Sequence, residues 1–169
     1  MLNSKATLLR HPCVSDIAVL SKLRNDSELQ TQLLSLPRAN SEKRVSDWVE
    51  NILSDPQSLF FIIADRQDNR PLGFVQVRRM DFVHGNGELG ICLEREAQGK
   101  GHAREAIALV EAHSKQVFRL RKILIQVLAS NDRAIRCYEK CGYDRVGIMR
   151  EHFFYAGCFH DVLIMEHKL

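Results

Sequence analysis

The stretch "ELGICLEREAQGKGHAREAIALVEAHSKQVFRLRKILIQVLA", residues 88–129, changes period twice. "ELGICL" (Glu88–Leu93) is a short, mostly apolar run and reads as a strand. From His102 onward Ala103, Ala106, Ile107, Val110 and Val117 recur at helical spacing, and "KILIQVLA" returns to a strand. Strand, helix, strand is a βαβ crossover, which makes the two strands parallel members of one sheet. Between the first strand and the helix stand Gly99, Lys100 and Gly101. A helix start leaves backbone N–H groups unpaired and presents the positive end of the helix dipole, and glycine lets a ligand approach that backbone closely. The loop therefore reads as an anion seat. It is not a Walker loop, since His102 follows Gly101 where Lys is needed, and it is not a dinucleotide fingerprint, since Arg104 occupies the third glycine position.

Upstream, "TLLRHP" reads as a first strand, and "VSDIAVLSKLRND" places Val14, Ile17, Ala18, Leu20 and Leu23 at helical spacing. Residues 26–40 show no clear period. "SEKRVSDWVENILSD" opens on Ser41 as a cap and gathers Val45, Trp48, Val49 and Ile52 on one helical face before Pro56. "SLFFIIADR", "PLGFVQVRRMDF" and "ELGICL" are joined by the polar turns "QDNR" and "HGNG" and form a β-meander. Downstream, "SNDRAIRCYEKCGY" reads as a short helix capped by Ser130 or Asn131 and closed by Gly142, followed by a long hairpin turning near Ala156 and Gly157. The class is α+β (mixed α/β), a single domain over residues 1–169.

Composition agrees with one core. The chain is 45% hydrophobic and 27% charged with a formal charge of +3, a mild balance that calls for no nucleic acid. The longest apolar run, "LFFIIA", is far shorter than a membrane span, and "MLNSKATLLRHPC" lacks a signal peptide's apolar core, so a cytoplasmic protein without a membrane partner is expected. The five cysteines form no C-x-x-C and no zinc-spaced set with histidine, so no metal is expected. Cys137 and Cys141 would share a helical face as small buried hydrophobes.

The loop and its surroundings together resemble the GNAT superfamily of acetyl-CoA-dependent N-acyltransferases. The Q/R-x-x-G-x-G/A signature falls on Gln98, Gly101 and Ala103, and the N-x-x-A-x-x-x-Y-x-x-x-G-[FY] pattern on Asn131, Ala134, Tyr138, Gly142 and Tyr143. The close resemblance runs from about Glu88 to Tyr143, and element order follows it throughout. The terminal hairpin "GIMREHFFYAGCFHDVLIM" is similar to the subgroup of polyamine, ribosomal-protein N-terminal and amino-sugar-nucleotide acetyltransferases. The resemblance implies a twisted, mostly antiparallel sheet of six or seven strands with helices on both faces. It also implies acetyl-CoA as cosubstrate, its pyrophosphate held by Gln98, Gly99, Lys100, Gly101, His102, Ala103 and Arg104. The backbone of Ile91, Cys92 and Leu93 would pair with the pantetheine arm, and Asn131 would hydrogen-bond CoA.

Acetylating an amine requires a proton acceptor, because a lysine-like ammonium has a pKa of ~10.4, and a proton donor for a departing thiolate of pKa ~8.5. Glu88, a carboxylate on an otherwise apolar strand, resembles a glutamate found there in several relatives and is the candidate base. Strand parity sets Glu88, Gly90 and Cys92 on one face and Leu89, Ile91 and Leu93 on the other, so it need not be buried in the core. A strand carboxylate that is merely exposed or hydrogen-bonded is the competing reading. Tyr138 matches the family's acid, and a phenol at ~10 can donate that proton. No histidine adjoins Cys92, and the family transfers the acyl group directly rather than through cysteine. In relatives the acceptor lies between segments that here are about residues 24–40 and 150–160. These mix Arg24, Arg38, Arg150, His152 and His160 with Asp26, Glu28, Glu151 and Asp161. A polyamine site should be acidic and a nucleotide-sugar site cationic, and neither pattern dominates. The expected acceptor is a small-molecule amine (an amino sugar or its nucleotide, or a polyamine), acted on by a monomer or homodimer. Acetylation of a protein N-terminus and a non-catalytic acyl-CoA sensor are the alternatives.

Overall fold

The computed structural model describes residues 1–169. Eight strands form one sheet in the order β1-β2-β3-β4-β5-β6-β8-β7: β1 (Leu2–Asn3), β2 (Thr7–Arg10), β3 (Leu59–Asp65), β4 (Pro71–Asp81), β5 (Asn86–Leu93), β6 (Lys122–Leu128), β7 (Asp144–Tyr155) and β8 (Cys158–Lys168). This is one strand more than the upper expectation. The addition is the two-residue edge strand Leu2–Asn3, too short to show any periodicity. All neighbours are antiparallel except β5 and β6, the expected parallel pair of the crossover.

Five helices cover the sheet: α1 (Ile17–Asn25), α2 (Ser27–Gln32), α3 (Glu42–Ser54), α4 (His102–Phe118) and α5 (Asp132–Glu139). Alternation along the strands divides the core in two. Phe60, Ile62, Phe74 and Cys92 face α1, α2 and α3, together with Leu20, Leu23, Val45 and Val49. Phe61, Ile63, Val75, Leu89 and Leu93 face α4, with Ala106, Ile107 and Val110. Cys92 and Leu93 thus point to opposite faces, as parity requires. The first helix begins as a 3-10 turn, Val14–Asp16, so Val14 is exposed rather than on the apolar stripe. Asp16 at its end is buried and held by two bonds from Arg10, Nη1 to Oδ2 at 2.7 Å and Nη2 to Oδ1 at 2.8 Å.

The periodless residues 26–40 contain α2, a polar six-residue helix. Asp26 caps it by accepting from the Leu29 N–H, and Arg95, in the turn after β5, clamps it through Asp26 at 3.0 Å and Glu28 at 2.9 Å. Ser41 caps α3 and Asn131 caps α5, the latter accepting from the Ala134 N–H at 3.1 Å.

Candidate active site

The parallel pair opens soon after it forms. Asn86, Gly87 and Glu88 lie opposite Lys122, Ile123 and Leu124, and beyond Glu88 the pairing of β5 with β6 stops. From that point β6 continues against β8 alone, and β5 against β4 alone. The unpaired edge of Leu89–Leu93 is left facing a cavity of about 710 Å³, lined also by Gln126 of β6 and by α5. One end of this cavity lies at Gly99, Gly101, Ala103 and Arg104; the other reaches Arg24, Trp48, Gln76, Arg78 and Glu88.

At the first end Gly99 and Gly101 have φ of +78° and +94°, in the left-handed region, and Gly101 immediately precedes α4. A Cβ built at either would meet nothing within 4 Å, so their conformation and not crowding explains glycine here. The amides that open α4 are therefore accessible to an anion, and Arg104, Arg133, Arg136 and Lys140 line the same cavity. A pyrophosphate fits this end. Gln98 Nε2 donates to the Leu93 carbonyl at 2.9 Å, tying the loop to the strand end. Lys100 is exposed at the loop tip outside the lining. His102 is buried, with Nδ1 3.0 Å from the Thr7 hydroxyl, so its side chain fastens α4 to β2 and only its backbone belongs to the loop.

Tyr138 lines the middle of the cavity from α5, over the opening between β5 and β6. Burial pushes its phenol up from the ordinary value, so the hydroxyl carries its proton at neutral pH. Its ring packs 5.9 Å from that of Tyr143, whose hydroxyl donates to Glu111 at 2.6 Å; His167 Nδ1 lies 3.1 Å from the same carboxylate oxygen. This buried network ties the end of α5 to α4 and β8. Cys92 packs into the core beneath α1 and α3, and burial raises its thiol to about 12, which leaves only its backbone available to a ligand. Ile91 is half-buried along the free edge. Asn131 lines the cavity while serving as the α5 cap.

Glu88 lies at the far end with its side chain 29% exposed, and Arg79 Nη1 holds its Oε2 at 2.7 Å. That contact depends on a bulge. The β4–β5 register shifts between Arg78 and Asp81, and Arg79 has φ +51°, which swings it toward the side on which Arg78 already opposes Glu88. Of the expected acceptor segments, residues 24–35 border the cavity through Arg24, Leu29 and Gln32–Ser35. From residues 150–160, Tyr155 and His160 border an adjoining groove that shares Leu29, Gln32, Gln98, Asn131 and Arg133 with the cavity. Trp48, Gln76, Arg78, Arg79, Gln126, Arg133, Arg136 and Lys140 join the lining without having been anticipated. The signal for Gln76 and Arg78 was their parity with Phe74, which puts polar groups on an inward-facing row. No cluster of three or more His, Cys, Asp or Glu side chains able to hold a metal is present.

A splayed parallel pair, a glycine loop at a helix start and a tyrosine across the gap define the class of acyl-CoA-dependent transferases. The chain belongs to the GNAT acetyltransferases: the model of the acetyltransferase (GNAT) domain matches residues 7–144. It is 28% identical over 161 residues to a spermidine N(1)-acetyltransferase of Vibrio cholerae, covering 95% of this chain and 91% of that one. A probable N-acetyltransferase of Bacillus subtilis is 25% identical over 171 residues, covering 95% and 93%. The crystal structure of the Vibrio cholerae spermidine N-acetyltransferase in complex with CoA and spermine superposes with a TM-score of 0.88 at 26% identity, over 96% of this chain and 95% of that chain. The protein is thus an acetyl-CoA-dependent N-acetyltransferase.

Proposed function

We propose that Glu88, at one end of the cavity, and Tyr138, at its middle, divide the proton traffic of this transfer. The observation that carries this is the end of β5–β6 pairing at Glu88 and Leu124, which opens the sheet between the two side chains. Acetyl-CoA supplies an activated thioester acyl group. Amides at the start of α4 bind phosphate, while the free edge of Ile91–Leu93 offers strand-like hydrogen bonds to an amide-bearing arm. Glu88 takes the proton of the incoming ammonium, directly or through water, and Tyr138 returns one to the departing sulfur. Cys92 takes no acyl group, because its thiol is packed in the core.

The relatives' names make spermidine and spermine the first acceptors to assay, followed by amino sugars. The setting we infer is cytoplasmic, with a monomer or homodimer as the working unit; no helix is long and apolar enough to cross a membrane. CoA thiol release should follow addition of a suitable primary amine. Acetyl-CoA, and neither ATP nor NAD, should raise the melting temperature. Stabilisation by acetyl-CoA with no thiol release across polyamines, amino sugars, amino acids and peptides would instead identify a sensor.

A further inference from the structure

Positive charge extends into the end of the cavity that the cosubstrate's phosphates do not need. Arg24, Arg78 and Arg79 line that end against one carboxylate, Glu88, which Arg79 occupies. The acidic side chains of the adjoining α2 segment, Asp26 and Glu28, are taken by Arg95. Arg24 is left without a carboxylate. Its guanidinium lies 4.6 Å from the Trp48 ring centroid, and its Nε is buried with no hydrogen-bond partner. Trp48 is fixed in turn by edge contacts of 5.4 Å to Phe60 and 5.4 Å to Phe74. A half-buried guanidinium whose Nε is shut away from any partner is costly, and here Arg44 and Arg78 are near enough to add repulsion. Gln76 Oε1 is also buried and unpartnered; its side chain lies over Gly90, where a Cβ would come within 3.1 Å of Gln76 Nε2, so glycine lets the amide lie flat on β5.

We propose that the acceptor carries a negatively charged group, carboxylate or phosphate, close to its amine, and that Arg24, aided by Arg78, binds this group while Gln76 Oε1 accepts an N–H from the amine. This rests on the transferase reading. A planar guanidinium already stacked on an aromatic ring is preorganised for a two-oxygen anion. A polyamine would bring ammonium groups against the same arginines.

Matched acceptors test it: lysine against 1,5-diaminopentane, and glucosamine 6-phosphate against glucosamine, with spermidine alongside. In at least one pair the anionic member should show about tenfold or greater advantage in kcat/KM, equivalent to about 1.4 kcal/mol. The pair that responds distinguishes carboxylate from phosphate. Arg24→Met, which keeps an apolar stem on Trp48, should bring that ratio close to one, and Arg24→Lys should restore part of it. Spermidine outperforming every anionic amine, or a ratio unmoved by Arg24→Met, would overturn the proposal. Should no amine be acetylated, the same compounds are compared by melting of the CoA-bound protein. Protection by an anionic member that depends on Arg24 would uphold the anion site while removing the transferase reading, and equal protection within both pairs would remove the anion site.

Discussion

The two ends of the cavity are built by different means. The cosubstrate end uses backbone: glycines at positive φ, the opening amides of α4 and the free edge of β5. The acceptor end uses side chains brought from α1, α3, β4 and β5, namely Arg24, Trp48, Gln76, Arg78 and Glu88. A backbone site recognises a feature that every acyl-CoA shares, whereas a side-chain site can be changed one residue at a time. The first should therefore resist conservative substitution except at its glycines, and the second should tolerate folding changes but not charge changes.

Tyr138 stands between the ends and should give the largest effect. Tyr138→Phe removes the proton donor while keeping the ring against Tyr143, so turnover should fall by about 10³-fold with little change in acetyl-CoA affinity. Steady-state kinetics and a melting titration with acetyl-CoA check the two halves of that statement. Unchanged turnover would take Tyr138 out of the chemistry. Glu88→Gln comes next, at about 10²-fold in kcat, with the fall in rate toward acid pH displaced or lost. Because the amide can still accept from Arg79, a large drop would report proton transfer and not a broken bulge. An identical pH profile would assign Glu88 to holding Arg79 alone.

Gly101→Val probes the backbone end. Valine at φ +94° would carry strain of about 1–3 kcal/mol and place a branched side chain before the α4 amides. Acetyl-CoA affinity should weaken by about tenfold, measured by calorimetry, while the preference among amines stays as in the wild type. A changed amine preference would mean that the two ends are not separable.

The same contrast decides what could be read from sequence. Gln98–Arg104 and Asn131–Tyr143 are contiguous, so their glycine spacing and helix signals survive as local patterns, and the βαβ unit between them follows from periodicity. The acceptor end has no such window. Trp48 sits at helical spacing among core residues, and only the folded chain shows that its ring lies under Arg24 as well as on Phe60 and Phe74. The turn of Arg79 toward Glu88 needs a left-handed arginine, which no propensity anticipates. Likewise α2, SELQTQ, has no apolar stripe and is held by its Asp26 cap and by Arg95 from a distant turn. His102 combines both kinds of position: its backbone belongs to the glycine loop, while the first turn of α4 directs its side chain inward to Thr7.

The smallest effect on turnover concerns how the acceptor end is held in place. Arg24 lies on the last turn of α1, and the start of that helix is pinned by Arg10 and Asp16. Burial alone would raise Asp16, but the bonds from Arg10 and from the Cys13 N–H outweigh it and hold the carboxyl below the ordinary 3.8. A lowered folded-state value means that this contribution to stability is complete above the unfolded value and is lost as pH falls through the folded one. Asp16→Asn keeps the shape and one acceptor oxygen but has no charge to lose. It leaves Arg10 without its charge partner and should cost about 3 kcal/mol of stability at neutral pH. The deficit against the wild type should shrink steadily below about pH 4 as the wild-type carboxylate is protonated. Trp48, the one tryptophan of the chain, reports on this end directly, so urea unfolding followed by its fluorescence at stepped pH measures the deficit. A deficit equal at pH 3 and pH 7 would assign the effect to packing, and the acceptor end would then owe its position to shape rather than to the charge that distinguishes it from the cosubstrate end.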